Sequence, residues 1–266
     1  MTTSVPAVLQ ARDLSKTYDG APQAAPALHG VGLTVRPGES VAIMGPSGSG
    51  KTTLMHVLSG ILPPDAGEVQ LAVGSDSAPI AFSGLDAEQR ARLRREHLGF
   101  VFQEGLLLPE LTALENVAVA LMVSGVRRST AEQRAAEHLG ALGLSGWEQH
   151  RPGQLSGGQA QRVAIARAQV AGPAVVFADE PTGALDSTTS AAVLDALLDS
   201  TVGRRASLVM VTHDETVAAR CARIVRLQDG RLVSDCATGA DGADGATSAD
   251  RAPDAEGAAA ATGERR

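Results

Sequence analysis

The hydrophobic pattern of the chain alternates between short apolar runs and longer segments with helical spacing. Four runs of five residues are apolar enough to be buried strands, and segments with helical spacing lie between them. The predicted strands are residues 40–44, 98–102, 174–178 and 207–211, and the predicted helices are residues 51–58, 86–97, 159–170 and 187–199. This alternation predicts an α/β domain with a doubly wound parallel sheet.

Two parts of the chain depart from that alternation. Residues 8–14 and 31–35 have the pattern of short strands in an antiparallel β edge subdomain, to which residues 67–82 add another strand. Residues 109–150 have a helical pattern that is broken at Gly125 and Gly143. They predict an α-helical subdomain inserted into the α/β core.

The same pattern predicts the boundaries of the subdomains. We expect an α/β core of residues 7–103 and 159–235 and a helical subdomain of residues 104–158. The remaining residues, 236–266, are mainly Ala, Gly, Asp, Ser and Thr, with no aromatic side chain. Such a composition buries too little apolar surface to order a chain, so a disordered tail is predicted.

Composition narrows the classes of function. The net charge of −7 argues against a broad nucleic-acid-binding face, because such faces need clustered Lys and Arg. The two cysteines have no metal-ligand spacing and do not make a disulfide framework, so a reduced, cytosolic protein is expected. No apolar run approaches the roughly 20 residues that a membrane span needs. Any work at a membrane is therefore expected to use a partner.

A glycine-rich loop, GPSGSGKT, lies between the first predicted strand and its helix. It fits the P-loop pattern, in which backbone amides and the positive end of the helix hold phosphates. Lys51 is expected to bridge the β- and γ-phosphates, and Thr52 to offer its hydroxyl to Mg²⁺. The predicted nucleotide-binding residues of this segment are Gly45, Pro46, Ser47, Gly48, Ser49, Gly50, Lys51, Thr52 and Thr53.

Two acidic residues directly follow the apolar run at 174–178. Successive side chains on a strand point to opposite faces, so Asp179 and Glu180 cannot do the same job. Asp179 is the better candidate for the Mg²⁺ shell, and Glu180 for the general base that takes a proton from the attacking water. A helix-capping acid is the alternative, although caps rarely follow a buried strand with Pro181 next.

A second phosphate-binding candidate is the sequence LSGGQ at residues 155–159. Ser156 can cap the following helix, whatever other role it has. Gly157 and Gly158 are expected to leave backbone amides open at the tip of the helix, and Gln159 completes this tip. The helix dipole makes the tip a suitable site for an anion. A nucleotide triphosphatase needs only the first phosphate loop, so the second motif indicates an additional role.

The order of these elements resembles the ATP-binding cassette (ABC) family over about residues 7–235. The resemblance implies a P-loop NTPase core, the use of ATP and Mg²⁺, and ATP sandwiched between two chains by the LSGGQ tip of the opposite subunit. That subunit is expected to be a second copy of this chain or a homologous ATPase. Asp186 matches a family loop that touches the partner across the interface.

Three further site residues are implied by the same resemblance. Gln103 matches a glutamine that touches Mg²⁺ and the water and links the core to the helical subdomain. His213 matches a switch histidine that reaches the γ-phosphate and orients Glu180 and water. Tyr18 matches an aromatic that stacks on adenine. Position alone leaves ordinary alternatives open. Gln103 can be a surface amide, His213 a structural histidine at a strand end, and Tyr18 a tyrosine that only packs against its neighbours.

The stretches FVFQEGLLLPELTALENV and ADEPTGALDS look most like ABC ATPases that serve lipoprotein release, macrolide or peptide export, and cell division. Such ATPases pair with integral membrane permease subunits. The leading hypothesis is the ATP-hydrolysing subunit of a bacterial ABC transporter, peripheral on the cytoplasmic face of the cell membrane. A non-transporting membrane signalling complex is the alternative. A soluble ABC ATPase of the ribosome or DNA is disfavoured, because the chain has one cassette and no sustained heptads.

Overall fold

The structure, a computed structural model, describes residues 7–18, 26–74 and 78–238. The strands in chain order are β1 (Leu9–Lys16), β2 (Leu28–Val35), β3 (Ser40–Met44), β4 (Ala66–Leu71), β5 (Ile80–Ala81), β6 (Leu98–Val101), β7 (Val175–Asp179), β8 (Ser207–Val211), β9 (Arg223–Gln228) and β10 (Arg231–Ala237). The α-helices are α1 (Lys51–Leu58), α2 (Ala87–His97), α3 (Ala113–Met122), α4 (Arg128–Ala141), α5 (Gly157–Gln169), α6 (Ser187–Thr201) and α7 (Glu215–Ala218).

Two sheets contain these strands. The larger has the order β10-β9-β3-β8-β7-β6, and its strands are parallel except for β10 at one edge. The smaller has the order β2-β1-β4-β5 and is antiparallel throughout. The predicted α/β fold, with a parallel core sheet and an antiparallel β edge, is confirmed.

Alternate side chains of the central strands enter two different cores. Val41 and Ile43 of β3 pack in the core shared by α1 and the antiparallel sheet. Ala42 and Met44 pack in the core shared by α5, α6 and the helical subdomain. Because successive side chains on a strand point to opposite faces, a run that is apolar at consecutive positions fits a sheet covered on both sides.

The sequence did not predict the β9–β10 hairpin. Polar residues interrupt its apolar pattern, notably Arg223 and Arg226, which form ion pairs with Asp235 and Glu215 respectively. These arginines lie near an edge of the sheet, where charged side chains are compatible with strand structure. The hydrophobic pattern alone therefore underestimated the size of the sheet.

Helix α5 belongs to both parts of the fold. It packs against α3 and α4 on one side and against β6 and α6 on the other. The predicted boundary at residue 158 falls inside this helix, which begins at Gly157 rather than Gln159. None of the helices in the described segments is long and apolar enough to cross a membrane.

The ordered chain extends further than predicted at its C-terminal end. Cys236 and Ala237 pair with β9 as the last residues of β10, and the amide of Thr238 donates to the carbonyl of Ala222 at 3.0 Å. The prediction of disorder from residue 236 was therefore wrong for these residues, because strand pairing satisfies their backbone groups despite a polar composition. The predicted tail from residue 239 onward lies outside the described residues.

Truncation can test where the folded part ends. A chain that stops after Thr238 should unfold at the same urea concentration as the full chain, because the composition beyond it supports no core. A chain that stops after Asp235 should lose about 1–2 kcal/mol, since it lacks the last strand pairs and the bonds of Thr238, each worth roughly 0.5–1.5 kcal/mol. Equal unfolding midpoints for the two truncations would contradict this prediction.

Candidate functional site

The glycine-rich loop connects β3 directly to α1. Gly50 precedes the helix with φ of +100°, and a Cβ atom there would overlap the carbonyl oxygen of Ala27. Glycine is required there for two reasons: the positive φ disfavours other residues, and the nearby backbone of Ala27 leaves no room for a side chain. Ser47, Gly48 and Thr52 are exposed. The loop thus offers open backbone and the N-terminus of α1 to an anionic ligand.

Lys51 is held within its own loop. Its Nζ donates to the carbonyl oxygens of Gly45 and Pro46, at 2.8 and 2.9 Å. Neutral carbonyls are weaker partners for an ammonium than phosphate oxygens are. The lysine is therefore oriented over the loop, with contacts that a phosphate can replace.

Tyr18 lies against the first turn of α1. Its hydroxyl is 3.1 Å from Oγ1 of Thr53, and Tyr18 is 50% exposed. The hydrogen bond holds the hydroxyl end of the side chain, and the exposure leaves ring surface for stacking. The side chain of Thr53, predicted as a nucleotide contact, is buried and occupied with Tyr18.

Glu180 follows β7 with an unusual backbone. Its φ is +45°, in the left-handed region that non-glycine residues rarely adopt. Two hydrogen bonds fix it there: its amide donates to the carbonyl of Val211 at 2.9 Å, and its carbonyl accepts from the amide of Gly183 at 3.0 Å. A strained backbone that neighbours hold in place is typical of functional sites.

Both carboxylate oxygens of Glu180 have partners from the segment after β8. Oε1 accepts from Nδ1 of His213 at 2.8 Å, and Oε2 accepts from Oγ1 of Thr212 at 3.2 Å. Because Nδ1 donates to the carboxylate, Nε2 is the ring atom left to meet a ligand, and the side chain is 75% exposed. The hydrogen bond to Glu180 raises the pKa of His213.

Thr212 was missed by the sequence analysis. It is buried, and its hydroxyl also accepts from the amide of Asp214 at 3.1 Å, so its single proton is left for Glu180. Its position directly before His213 was the available signal, but a threonine ending an apolar strand has no distinctive pattern.

The residues predicted to hold Mg²⁺ have suitable chemistry. Burial raises the pKa of Asp179, and the neighbouring Glu180 carboxylate adds to that effect. A carboxylate in such surroundings gains from a nearby cation. Together with the exposed hydroxyl of Thr52 and the amide oxygen of Gln103, it supplies the hard oxygen ligands that Mg²⁺ prefers.

Within the described segments, no three His, Cys, Asp or Glu side chains cluster so as to hold a metal by themselves. That is compatible with Mg²⁺, which is usually bound by one or two carboxylates together with substrate phosphates.

Gln103 lies in the loop after β6, beside the loop that follows β7. A Cβ atom at Gly183 would be 3.0 Å from Nε2 of Gln103 and 3.5 Å from Cβ of Glu180. The structure thus brings the glutamine close to the segment that carries Glu180.

The LSGGQ motif forms the start of α5. The amide of Gln159 donates to Oγ of Ser156 at 3.3 Å, and the amide of Ser156 donates to Oε1 of Gln159 at 2.8 Å. This reciprocal capping matches the structural role expected of Ser156. Ser156 and Gly157 are exposed, but Gly158 is buried, and a Cβ atom there would overlap Thr189 of α6. Glycine at 158 is therefore needed for the packing of α5 on α6, and not only for an open amide.

Asp186 caps the neighbouring helix. Its Oδ1 accepts from the amides of Thr188 and Thr189 at 3.1 and 3.0 Å. Hydrogen bonding to Thr189 and Thr188 lowers the pKa of Asp186, which is exposed. The carboxylate is thus ionised and accessible beside the LSGGQ tip.

The predicted site residues form two groups on one chain. Lys51 acts electrostatically on both Asp179 and His213, which is consistent with one cluster at the carboxyl ends of β3, β7 and β8. No hydrogen bond or ion pair among residues 7–18, 26–74 and 78–238 joins Ser156 or Asp186 to that cluster. The LSGGQ tip and the P-loop cluster are therefore not directly bonded within the described part of the chain.

The Glu180–His213 contact predicts a shift that NMR can measure. Replacing Glu180 by Gln removes the carboxylate that favours the imidazolium, so the pKa of His213 should fall toward the ordinary histidine value. Glu215→Gln is the control, because Glu215 pairs with Arg226 instead. A His213 titration that is the same in both variants would contradict the hydrogen bond.

The sequence is similar to known proteins over most of its length. Residues 28–183 match the family model described as ABC transporter. The lipoprotein-releasing system ATP-binding protein LolD of Pseudomonas fluorescens is 45% identical over 208 residues, which cover 78% of this chain and 89% of that protein. LolD of Legionella pneumophila is 43% identical over 208 residues, with the same 78% and 89% coverage.

Solved structures give the same result. The dimeric cassette MJ0796, in a post-hydrolysis state bound to ADP and Pi, has a TM-score of 0.75 and 37% identity, covering 88% of this chain and all of that one. The cbiO1 protein from Clostridium perfringens, part of the ABC transporter complex cbiONQ, has a TM-score of 0.76 and 26% identity, covering 87% of this chain and 89% of that one. The chain therefore belongs to the ABC transporter family, as a nucleotide-binding subunit that hydrolyses ATP.

Proposed function

We propose that this chain works as a dimer around two ATP molecules and drives a separate integral membrane permease in the lipoprotein-release or macrolide-export branch of the family. The observation that carries the proposal is the Glu180 carboxylate held between Thr212 and His213 beside the P-loop. The 45% identity with LolD supports the branch and favours transport over a signalling complex. We place the protein on the cytoplasmic face of the membrane, held there by the permease.

Each residue of the cluster has a distinct task in the proposed mechanism. Lys51 exchanges its loop carbonyls for phosphate oxygens, and Tyr18 stacks on the adenine. Glu180 accepts a proton from the attacking water, and His213 uses Nε2 to contact the γ-phosphate. Bound Mg²⁺, held by Thr52, Asp179 and Gln103, would neutralise charge on the β- and γ-phosphates.

The proposed dimer completes each nucleotide site. Ser156 and Asp186 are exposed and separate from the P-loop cluster of their own chain, so a second copy or a homologous ATPase is needed to bring them to a nucleotide. A two-fold pairing gives each Ser156 tip a γ-phosphate on the opposite chain. The solved dimeric state of MJ0796 supports this arrangement.

The proposed division of labour follows the subdomains. The core of residues 7–103 and 159–235 binds and hydrolyses ATP, and the helical subdomain of residues 104–158 transmits the change to the permease. Because α5 packs on both, it connects the Ser156 tip directly to the core.

Replacing Glu180 by Gln tests the general base. The amide keeps the shape of the side chain but cannot accept the proton, so ATP binding should persist while turnover falls by about 10²–10⁴-fold. The variant should also dimerise on a sizing column in the presence of MgATP, because hydrolysis no longer releases the pair. Glu215→Gln is the matched control and should hydrolyse ATP normally. Turnover above a tenth of the wild-type rate would refute the role of Glu180.

Mixing two inactive variants tests whether the sites are shared between chains. Lys51→Ala should lose phosphate binding in its own P-loop, and Ser156→Arg should block the site of its partner. Each alone should be inactive. In a mixed dimer, the P-loop of the Ser156→Arg chain meets the intact Ser156 of the other, so one site is complete and ATP hydrolysis should return. No recovery on mixing, with mixed dimers demonstrated, would contradict the shared site.

A further inference from the structure

Arg167 of α5 binds the loop that follows Gln103. Its Nη1 donates to the carbonyl of Leu106 at 2.8 Å, and its Nη2 donates to the carbonyl of Gly105 at 2.7 Å. Both loop residues have left-handed backbones, with φ of +70° at Gly105 and +46° at Leu106. Such a conformation is strained at Leu106, so the surrounding contacts must hold it.

Apolar packing of the Leu106 side chain does not account for its strained backbone. Leu106 is 58% exposed, so its side chain contributes little burial. Arg167, by contrast, is half-buried, and burial lowers its pKa. Within the described residues, no carboxylate lies within ion-pair distance of its guanidinium. Burial of a guanidinium that bonds only to backbone carbonyls has an unfavourable desolvation free energy. An apolar side chain would fill the same space without that penalty.

A second side chain of α5 binds the loop on the other side of Gln103. Gln161 is buried, and its Nε2 donates to the carbonyl of Phe102 at 2.9 Å. Its Oε1 would be 3.2 Å from a Cβ atom at Gly105, so the loop passes close to the helix. The backbone is thus bound immediately before Gln103 and two to three residues after it.

The two contacts connect the Gln103 loop to the helix that carries the LSGGQ tip. We propose that Gln161 and Arg167 are positioning residues for Gln103: they fix its loop to α5, so that the glutamine and the Ser156 tip move together. The inference rests on the proposed function in one respect, which is that Gln103 acts at the nucleotide. The attachment of the loop itself is independent of that role.

Amide exchange of the nucleotide-free full chain tests the attachment directly. Arg167→Met keeps an apolar stem and removes both donors, so the amide of Gly105, which donates to the carbonyl of Phe102 at 3.0 Å, should exchange about tenfold faster or more, as expected for bonds to a charged group. Arg167→Lys keeps a charged donor that can reach one carbonyl, and its exchange should be intermediate. The amide of Leu108 should be unchanged, because Oδ1 of the buried Asn116 accepts from it at 2.8 Å.

A matched variant on the same helix separates positioning from general destabilisation. Arg162 bonds to the carbonyls of Gly158 and Leu142, away from this loop. Arg162→Met should therefore leave exchange of the Gly105 amide unchanged. Equal loop exchange in Arg162→Met and Arg167→Met would overturn the proposal. If Arg167→Met does not fold, Gln161→Met, with exchange measured at the same amide, decides in the same way.

Hydrolysis measurements connect the attachment to Gln103. Arg167→Met should lower kcat for ATP with little change in ATP affinity, because the P-loop is untouched. Added to Gln103→Ala, it should cause no further loss, since it acts only through that glutamine. A further loss by the same factor as in the wild-type background would overturn the positioning role. If Gln103→Ala alone has normal turnover, the proposed role of Gln103 at the nucleotide is wrong. The exchange measurements would still test the attachment of the loop to α5.

Discussion

Parallel pairing of the central strands is the constraint on which the site depends. β8 lies between β3 and β7, and Val211 is in register with both Ile43 and Asp179. All three strands therefore end at the same edge, and whatever follows each of them must meet there. The P-loop, the Asp179–Glu180 pair and the Thr212–His213 pair are close in space only because those registers are kept. A shift of one residue would also exchange the side chains that the two cores receive and disrupt the packing of both.

Burial on both faces keeps the registers fixed and explains how acidic residues are tolerated at the end of such strands. β7 is buried along its length up to the partly buried Asp179. Immediately after it, Glu180 adopts a left-handed backbone that the sheet itself stabilises, because its amide bonds to the last residue of β8. The rigid apolar core thus supports local strain and two adjacent carboxylates at its edge, which neither a surface loop nor an isolated strand would support.

Much of this was predictable from sequence, and the exceptions have physical reasons. β3, α1 and β8 have the predicted bounds because a run of four consecutive apolar residues after a serine, or a glycine loop followed by a helix, permits few alternatives. The hairpin β9–β10 was missed because its arginines find carboxylate partners that only the folded chain supplies. Thr212 and Arg167 were missed because their roles depend on residues far along the chain, Glu180 and the loop after Gln103. The packing requirement for glycine at position 158 was missed because it depends on the contact with α6, which the sequence does not show.

Lys51 and Glu180 are both hydrogen-bonded within the chain, and these bonds define what a bound nucleotide would have to replace. Lys51 bonds to its own loop, and both carboxylate oxygens of Glu180 are occupied by side chains. Phosphate oxygens would replace only the carbonyl partners of Lys51, because an anionic oxygen binds an ammonium more strongly than a neutral carbonyl does. The bonds from Thr212 and His213 to Glu180 use neither Lys51 nor Nε2 of His213, so they would keep the carboxylate oriented while the phosphates bind.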